Sequence, residues 1–139
     1  PGSKPTKSRC RIDDGTMRGI TLQELRDFHQ KMKLDFEQNS DGLEVKAGKP
    51  KRKYDEADMY AIDKLYMDPY RNAAKCSYVE IVTEKASRPE YHVIYGSALL
   101  FRDFMAALEW HAEARQLPDT TAYFIVPFAL DPDDADRPE

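Results

Sequence analysis

Apolar residues along the chain fall at helical spacing in its first half and in short continuous runs nearer its end. Leu22, Leu25, His29, Met32 and Phe36 share one face of a segment that opens with the capping box Thr21-Leu22-Gln23-Glu24, with Ile20 and Leu25 placed as its hydrophobic staple. This predicts a helix ending near Gln38, where Asn39-Ser40-Asp41-Gly42 supplies turn chemistry. Tyr54 to Met67, with Asp55 and Glu56 early and Met59, Ile62 and Tyr66 at helical spacing, predicts a second helix that Pro69 ends. Ser77-Tyr78-Val79-Glu80 repeats the capping-box pattern. Its β-branched Val79, Ile81, Val82 and Thr83 favour a strand, but the alternation is poor, and the cap favours a short helix over Tyr78 to Glu84.

The pattern then changes. Tyr91-His92-Val93-Ile94-Tyr95 reads as a buried strand, Gly96-Ser97 as a strand-to-helix turn, and Ala98 to Gln116 as a long helix with Phe101, Met105, Leu108 and Ala112 on one face and Phe104 beside them. Leu117-Pro118-Asp119 breaks that helix, and Tyr123-Phe124-Ile125-Val126 makes a second strand, with Pro127 at its end because proline cannot donate to a ladder. Strands joined through a helix of this length pair in parallel, and two of them cannot bury themselves. The fold class expected is α/β, a small single domain in which N-terminal helices precede a parallel strand-helix-strand unit whose sheet is incomplete. The organisation expected is an extended arm over 1–19, ordered by a partner if it is ordered, one domain over 20–130, and an acidic tail over 131–139.

Composition narrows this picture. The 139 residues are 41% hydrophobic and 33% charged, and no apolar run approaches a membrane span, so a globular rather than membrane-spanning chain is expected. Pro1-Gly2-Ser3 lacks an initiator Met and a hydrophobic signal region, which reads as a processed or trimmed end. Cys10 and Cys76 lie in unlike surroundings without metal-ligand spacing; neither a disulfide framework nor zinc is expected, and Cys76 reads as a small buried hydrophobe in a reducing, intracellular compartment.

The net charge of −4 hides an asymmetry, since 1–53 carry thirteen Lys/Arg against eight Asp/Glu and 54–139 carry eight against seventeen. Lys46, Lys49, Lys51, Arg52 and Lys53 form a basic loop that reads first as solvated and second as a contact for an acidic neighbour. A phosphate-backbone role is the minority reading, because no aromatics are interleaved.

Candidate chemistry is sparse. Ligands of α/β folds gather beyond the carboxyl ends of parallel strands, here Tyr95 to Ala98 and Pro127 to Asp131. Tyr95, Gly96 and Ser97 would hold a phosphate or ribose if the turn presented backbone N–H groups at a helix start, though one glycine is far short of a phosphate loop. Asp131, Asp133 and Asp134 read as a solvated acidic tail before they read as a cation site. His29 and His111 read as packing or helix-surface residues, and Trp110 as an interface residue or an ordinary core residue. No catalytic residue, cofactor or metal is expected.

The order of Cys76-Ser77-Tyr78-Val79-Glu80, Tyr91-His92-Val93, Asp103-Phe104, Leu108-Glu109 with His111 and Arg115, and Thr121-Ala122-Tyr123-Phe124 resembles an uncharacterised α/β domain family abundant in unicellular protists and algae. Such domains carry a Ser-His-Trp-Trp-Gly-like run at the end of the first strand and an Asn-Asn-Gln-like run after the second. Here the corresponding stretches are Ile94-Tyr95-Gly96-Ser97-Ala98 and Leu130-Asp131-Pro132. The resemblance therefore implies a degenerate member that has kept packing residues and lost whatever occupied the strand ends. The function expected is a non-catalytic structural or accessory subunit of a multiprotein complex, in a mitochondrial or other organelle setting, with protein partners through the free strand edges, the basic loop and Trp110. A small nucleotide- or phosphate-binding enzyme using Gly96-Ser97 is the alternative.

Overall fold

The computed structural model describes residues 8–132. The first helix, α1 (Leu22–Gln38), starts at a complete capping box: the Glu24 N–H donates to Thr21 Oγ1 at 3.1 Å and the Thr21 N–H donates to Glu24 Oε1 at 2.9 Å. Its buried face is Leu22, Leu25, Phe28, Met32 and Phe36. Phe28, absent from the expected stripe, is the centre of that face. Its ring meets Tyr66, Tyr78, Phe101 and Phe128 edge-on, with centroids 5.3 to 5.6 Å apart.

The second helix departs from expectation at both ends. Tyr54–Glu56 is a separate 3₁₀ turn, α2 spans Met59–Ile62, and the chain continues through a π turn (Asp63–Met67) into α3 (Asp68–Ala74). Pro69 does not stop it. A proline inside a helix removes one N–H and pushes against the carbonyl a turn earlier. Here the wider π turn, in which the Asp68 N–H reaches back to Asp63 O, delivers Pro69 to the first turn of α3, where no N–H is needed. Buried Arg71 locks the junction by donating to Asp63 at 2.6 Å, Asp68 at 2.7 Å and the Pro127 carbonyl at 3.0 Å.

The segment α4 (Tyr78–Val82) is helical, and its cap overrides the β-branched residues because Ser77 and Glu80 satisfy each other's buried backbone N–H groups, which have no partner within the helix. The long helix, α5 (Phe101–Ala114), begins three residues later than Ala98 and ends two before Gln116. A short turn of helix, α6 (Val126–Ala129), follows the last strand with Pro127 in its first turn, which the sequence did not suggest.

The sheet is mixed and three-stranded, in the order β1-β3-β2, with β1 at Ile20–Thr21, β2 at Tyr91–His92 and β3 at Ala122–Phe124. The parallel β2–β3 pair is the expected strand-helix-strand unit, with Tyr91 opposite Tyr123 and His92 opposite Phe124. The added strand, β1, pairs antiparallel with β3, placing Ile20 opposite Tyr123. So Ile20 acts in the sheet rather than only as a helix staple. Gly19 precedes it because a Cβ there would lie 2.6 Å from the Ser87 carbonyl oxygen and 2.9 Å from Ala122 Cβ. Paired strand residues project to one face, so Ile20, Tyr123 and Tyr91 form a row. His111 of α5 meets Tyr91 and Tyr123 from that side. Arg26 fastens α1 to α5 by donating to both oxygens of Glu109, at 2.9 and 2.6 Å.

The arm over residues 8–19 is not extended throughout, since Gly15–Met17 form a 3₁₀ turn capped by Asp14, and this chain itself holds it. The Arg9 and Cys10 N–H groups donate to Glu80 O at 2.9 and 3.0 Å, and Ile12 is buried in the core. Cys10 and Cys76 are free thiols, and burial, reinforced by Glu80, pushes the Cys76 thiol up to about 11. Of the acidic tail, Asp131 ion-pairs with Arg18 at 3.1 Å, while residues 133–139 lie outside the described residues.

His29 is half-buried, and its Nε2 shares a 2.7 Å hydrogen bond with the Tyr54 hydroxyl. Burial, and then Lys33, lower its pKa below the ordinary 6.5. The unfolded chain therefore binds more protons between the lowered value and 6.5, so stability is complete above 6.5 and is lost as pH falls below it. Urea denaturation of the wild type between about pH 5 and pH 8 is expected to show this slope, and His29→Gln to flatten it. Equal slopes in the two proteins would reject the assignment.

Candidate functional site

β2 has β3 on one side and no strand on the other among the described residues. Along that free edge runs a groove of about 290 Å³ between β2 and α5, lined by Tyr91, Ile94, Tyr95, Leu99, Ala107 and His111. The elements place these side chains simply. The strand brings Tyr91 beside Tyr123, with centroids 5.7 Å apart, and α5 turns His111 toward both, its Nδ1 lying 3.2 Å from the Tyr123 hydroxyl. Tyr95 packs edge-on to Phe104 at 5.6 Å, and burial, then Asp63, push its phenol up to about 12. Burial, followed by Tyr91 and Glu109, raises Tyr123 as well. Both phenols stay protonated and uncharged at neutral pH, so neither serves there as a base.

Beyond β2 the chain turns outward. Ile94 is 97% exposed at the rim of this groove, and Trp110 on α5 is 71% exposed. Trp110 is therefore not a core residue. Ile94 lies just beyond the unpaired edge of β2, whereas Trp110 stands on α5 outside the groove lining.

The Gly96-Ser97 turn is not at a helix start. Helix α5 begins at Phe101, with Leu100 as its cap, and the turn instead faces α2. The Ser97 carbonyl accepts from the Tyr60 N–H at 3.0 Å and the Leu99 carbonyl from the Met59 N–H at 2.9 Å. The loop thus offers acceptors to the first turn of α2, which Asp58 caps as well by accepting from the Ala61 N–H at 2.8 Å. Gly96 and Ser97 are exposed, and the helix-terminal N–H cradle expected of them is absent among the described residues.

The basic loop is an organised hairpin. Leu43 and Arg52 exchange backbone hydrogen bonds of 2.8 and 2.9 Å, and Gly48 takes a left-handed φ of 77° at its tip. Lys46, Lys49, Lys51 and Lys53 are exposed and outside every ion pair formed among the described residues. Arg52 differs: it donates to Asp58 at 2.7 Å and so secures the base of the loop. The structure keeps this loop, Trp110 and the β2 groove as separate features rather than bringing them into one site.

No group of three or more His, Cys, Asp or Glu side chains with metal-binding geometry occurs among the described residues, and no described helix is long and apolar enough to cross a membrane. A free strand edge is expected from the sequence, but the groove beside it is not, because Ile94 reads as part of the buried strand whereas β2 ends at His92. Comparison with protein-family models, with curated proteins and with solved structures finds no match for the chain.

Proposed function

We propose that the chain is a non-catalytic interaction subunit of a larger protein assembly, making contact through the free edge of β2 and its apolar groove. The observation that carries this reading is Ile94, 97% exposed beside an unpaired strand. An added strand would satisfy the edge, and apolar side chains would fill the groove, the arrangement used when a peptide extends a sheet. Of the groove's polar groups His111 pairs with Tyr123, and no general base, nucleophile and orienting acid are brought together there among the described residues. The phosphate-binding alternative is weaker because Gly96 and Ser97 are not at the start of α5 and so offer no helix-terminal N–H groups to an anion.

Native mass spectrometry of the endogenous protein is the test. The wild type is expected within a complex of fixed stoichiometry and Ile94→Lys as a released chain, with unchanged thermal stability because Ile94 makes no buried contact. A wild type found solely as a monomer at its natural concentration would overturn the reading.

A further inference from the structure

Between α1, α3 and α4 lies a cavity of about 350 Å³ that is separate from the β2 groove. The rings of Phe28, Tyr70 and Tyr78 form part of its wall, and Glu24 and Asp27 stand on it. Tyr78 is only 5% exposed, with the Phe28 and Tyr70 rings edge-on to it at 5.5 and 5.6 Å. Its hydroxyl makes no hydrogen bond among the described residues. That oxygen is not sealed in the core either, because the side-chain polar atom found both fully buried and unbonded among the described residues is Thr121 Oγ1. An oxygen that solvent can reach is satisfied by water, which a ligand entering here must replace with a hydrogen bond of its own. Tyr78 lines the cavity together with Tyr70, Glu24 and Asp27, and burial first, then these three, push the phenol up and keep it protonated.

The two carboxylates are also underused. Glu24 accepts from the Thr21 N–H at 2.9 Å and Asp27 from Gln23 Nε2 at 3.0 Å, but neither has a Lys or Arg nitrogen within 4.0 Å among the described residues. Opposing charge at the cavity comes from Arg9, already paired with Glu84 at 2.6 Å, and from Lys31, which has no ion pair among the described residues. An anion would meet two carboxylates there. An uncharged apolar ligand would strip the Tyr78 oxygen of water and offer it no hydrogen bond in return.

We propose that this cavity binds an organic cation that carries N–H groups, an ammonium or guanidinium head on a short apolar stem. Glu24 and Asp27 balance its charge, the Tyr78 oxygen accepts one N–H, and the aromatic wall adds cation–π attraction. Ile81 and Val82 cover the stem. A free amine and a Lys or Arg side chain of another protein present this same chemistry.

The test is an NMR titration of the full chain with n-butylammonium, methylguanidinium, a capped Ala-Arg-Ala peptide, and n-butanol as the neutral control. The first three are expected to shift the amide signals of Asp27, Phe28 and Tyr78 saturably, and butanol not to. Tyr78→Phe and Asp27→Asn are each expected to weaken binding about tenfold, the effect of losing one hydrogen bond to a charged group. Tyr78→Phe keeps the ring and loses no hydrogen bond within the chain, so it should fold as the wild type does. Lys31→Met, which removes the repelling charge, is expected to tighten binding. Peptide binding tighter than methylguanidinium supports a protein side chain as the natural ligand, and the reverse order supports a free cation. Shifts that do not saturate, that butanol reproduces, or that survive both Tyr78→Phe and Asp27→Asn would overturn the proposal. None of these readouts depends on the β2 groove, so the two proposals fail separately.

Discussion

Arg18→Met is expected to reduce the unfolding free energy by about 3–5 kcal/mol, the cost of leaving a buried charge without its partner. Arg18 is 4% exposed and donates from Nε and Nη2 to the Ile12 carbonyl at 3.0 and 2.9 Å, and from Nη1 to the Ala129 carbonyl at 3.3 Å. Its guanidinium lies 3.1 Å from Asp131 and 3.6 Å from Glu80. Glu80 is itself buried and already accepts from the Ile12 N–H at 2.8 Å and from Ser77. Methionine fills much of the volume but leaves the Glu80 carboxylate without its cation and two backbone carbonyls without donors. Urea denaturation measures the loss, and Arg18→Met with Glu80→Gln should recover part of it by removing the stranded charge. A loss below about 1 kcal/mol would mean that the network contributes no more than a surface ion pair.

Phe28→Ala is expected to cost about 3–5 kcal/mol, the range for truncating a buried aromatic. Four edge-on ring contacts converge on this side chain from α3's approach, α4, α5 and α6, so the cavity left behind cannot collapse from one side. Phe28→Leu retains most of the volume and should lose less, forfeiting mainly the aromatic pairing. The unfolding midpoints of the two variants separate these contributions. Equal losses would show that ring geometry, rather than volume, dominates at this position.

These two positions also show where sequence reasoning stops. In the sequence the stripe of α1 runs through His29, because with a period of 3.6 residues the third and fourth positions after Leu25 flank the same apolar face. Which of Phe28 and His29 points inward depends on what lies opposite, and here that is a set of rings from distant segments. Arg18 looked like part of a polar arm because its partners, Glu80 and Asp131, are 62 and 113 positions away in the 139-residue chain. Pro69 looked like a stop because a π turn leaves no mark in the sequence. The Gly96-Ser97 turn reads as a helix start because Ala98, Leu99 and Leu100 continue the apolar pattern, whereas in the fold the Ser97 and Leu99 carbonyls accept from the first turn of α2.

What the sequence determined by itself is local. The capping boxes at Thr21 and Ser77 set two helix starts because the required side chains lie three residues from the groups they satisfy. The apolar runs around Tyr91 and Tyr123 and the helix between them set a parallel pair, because a connection of that length leaves little else. What only the tertiary structure decided is non-local: that Ile20–Thr21 adds a third strand beside β3, that Arg18 becomes a core residue, and that β2 keeps a free edge with Ile94 in water. Each of these depends on which distant groups come to lie opposite one another, and composition and spacing along a chain carry no direct record of that.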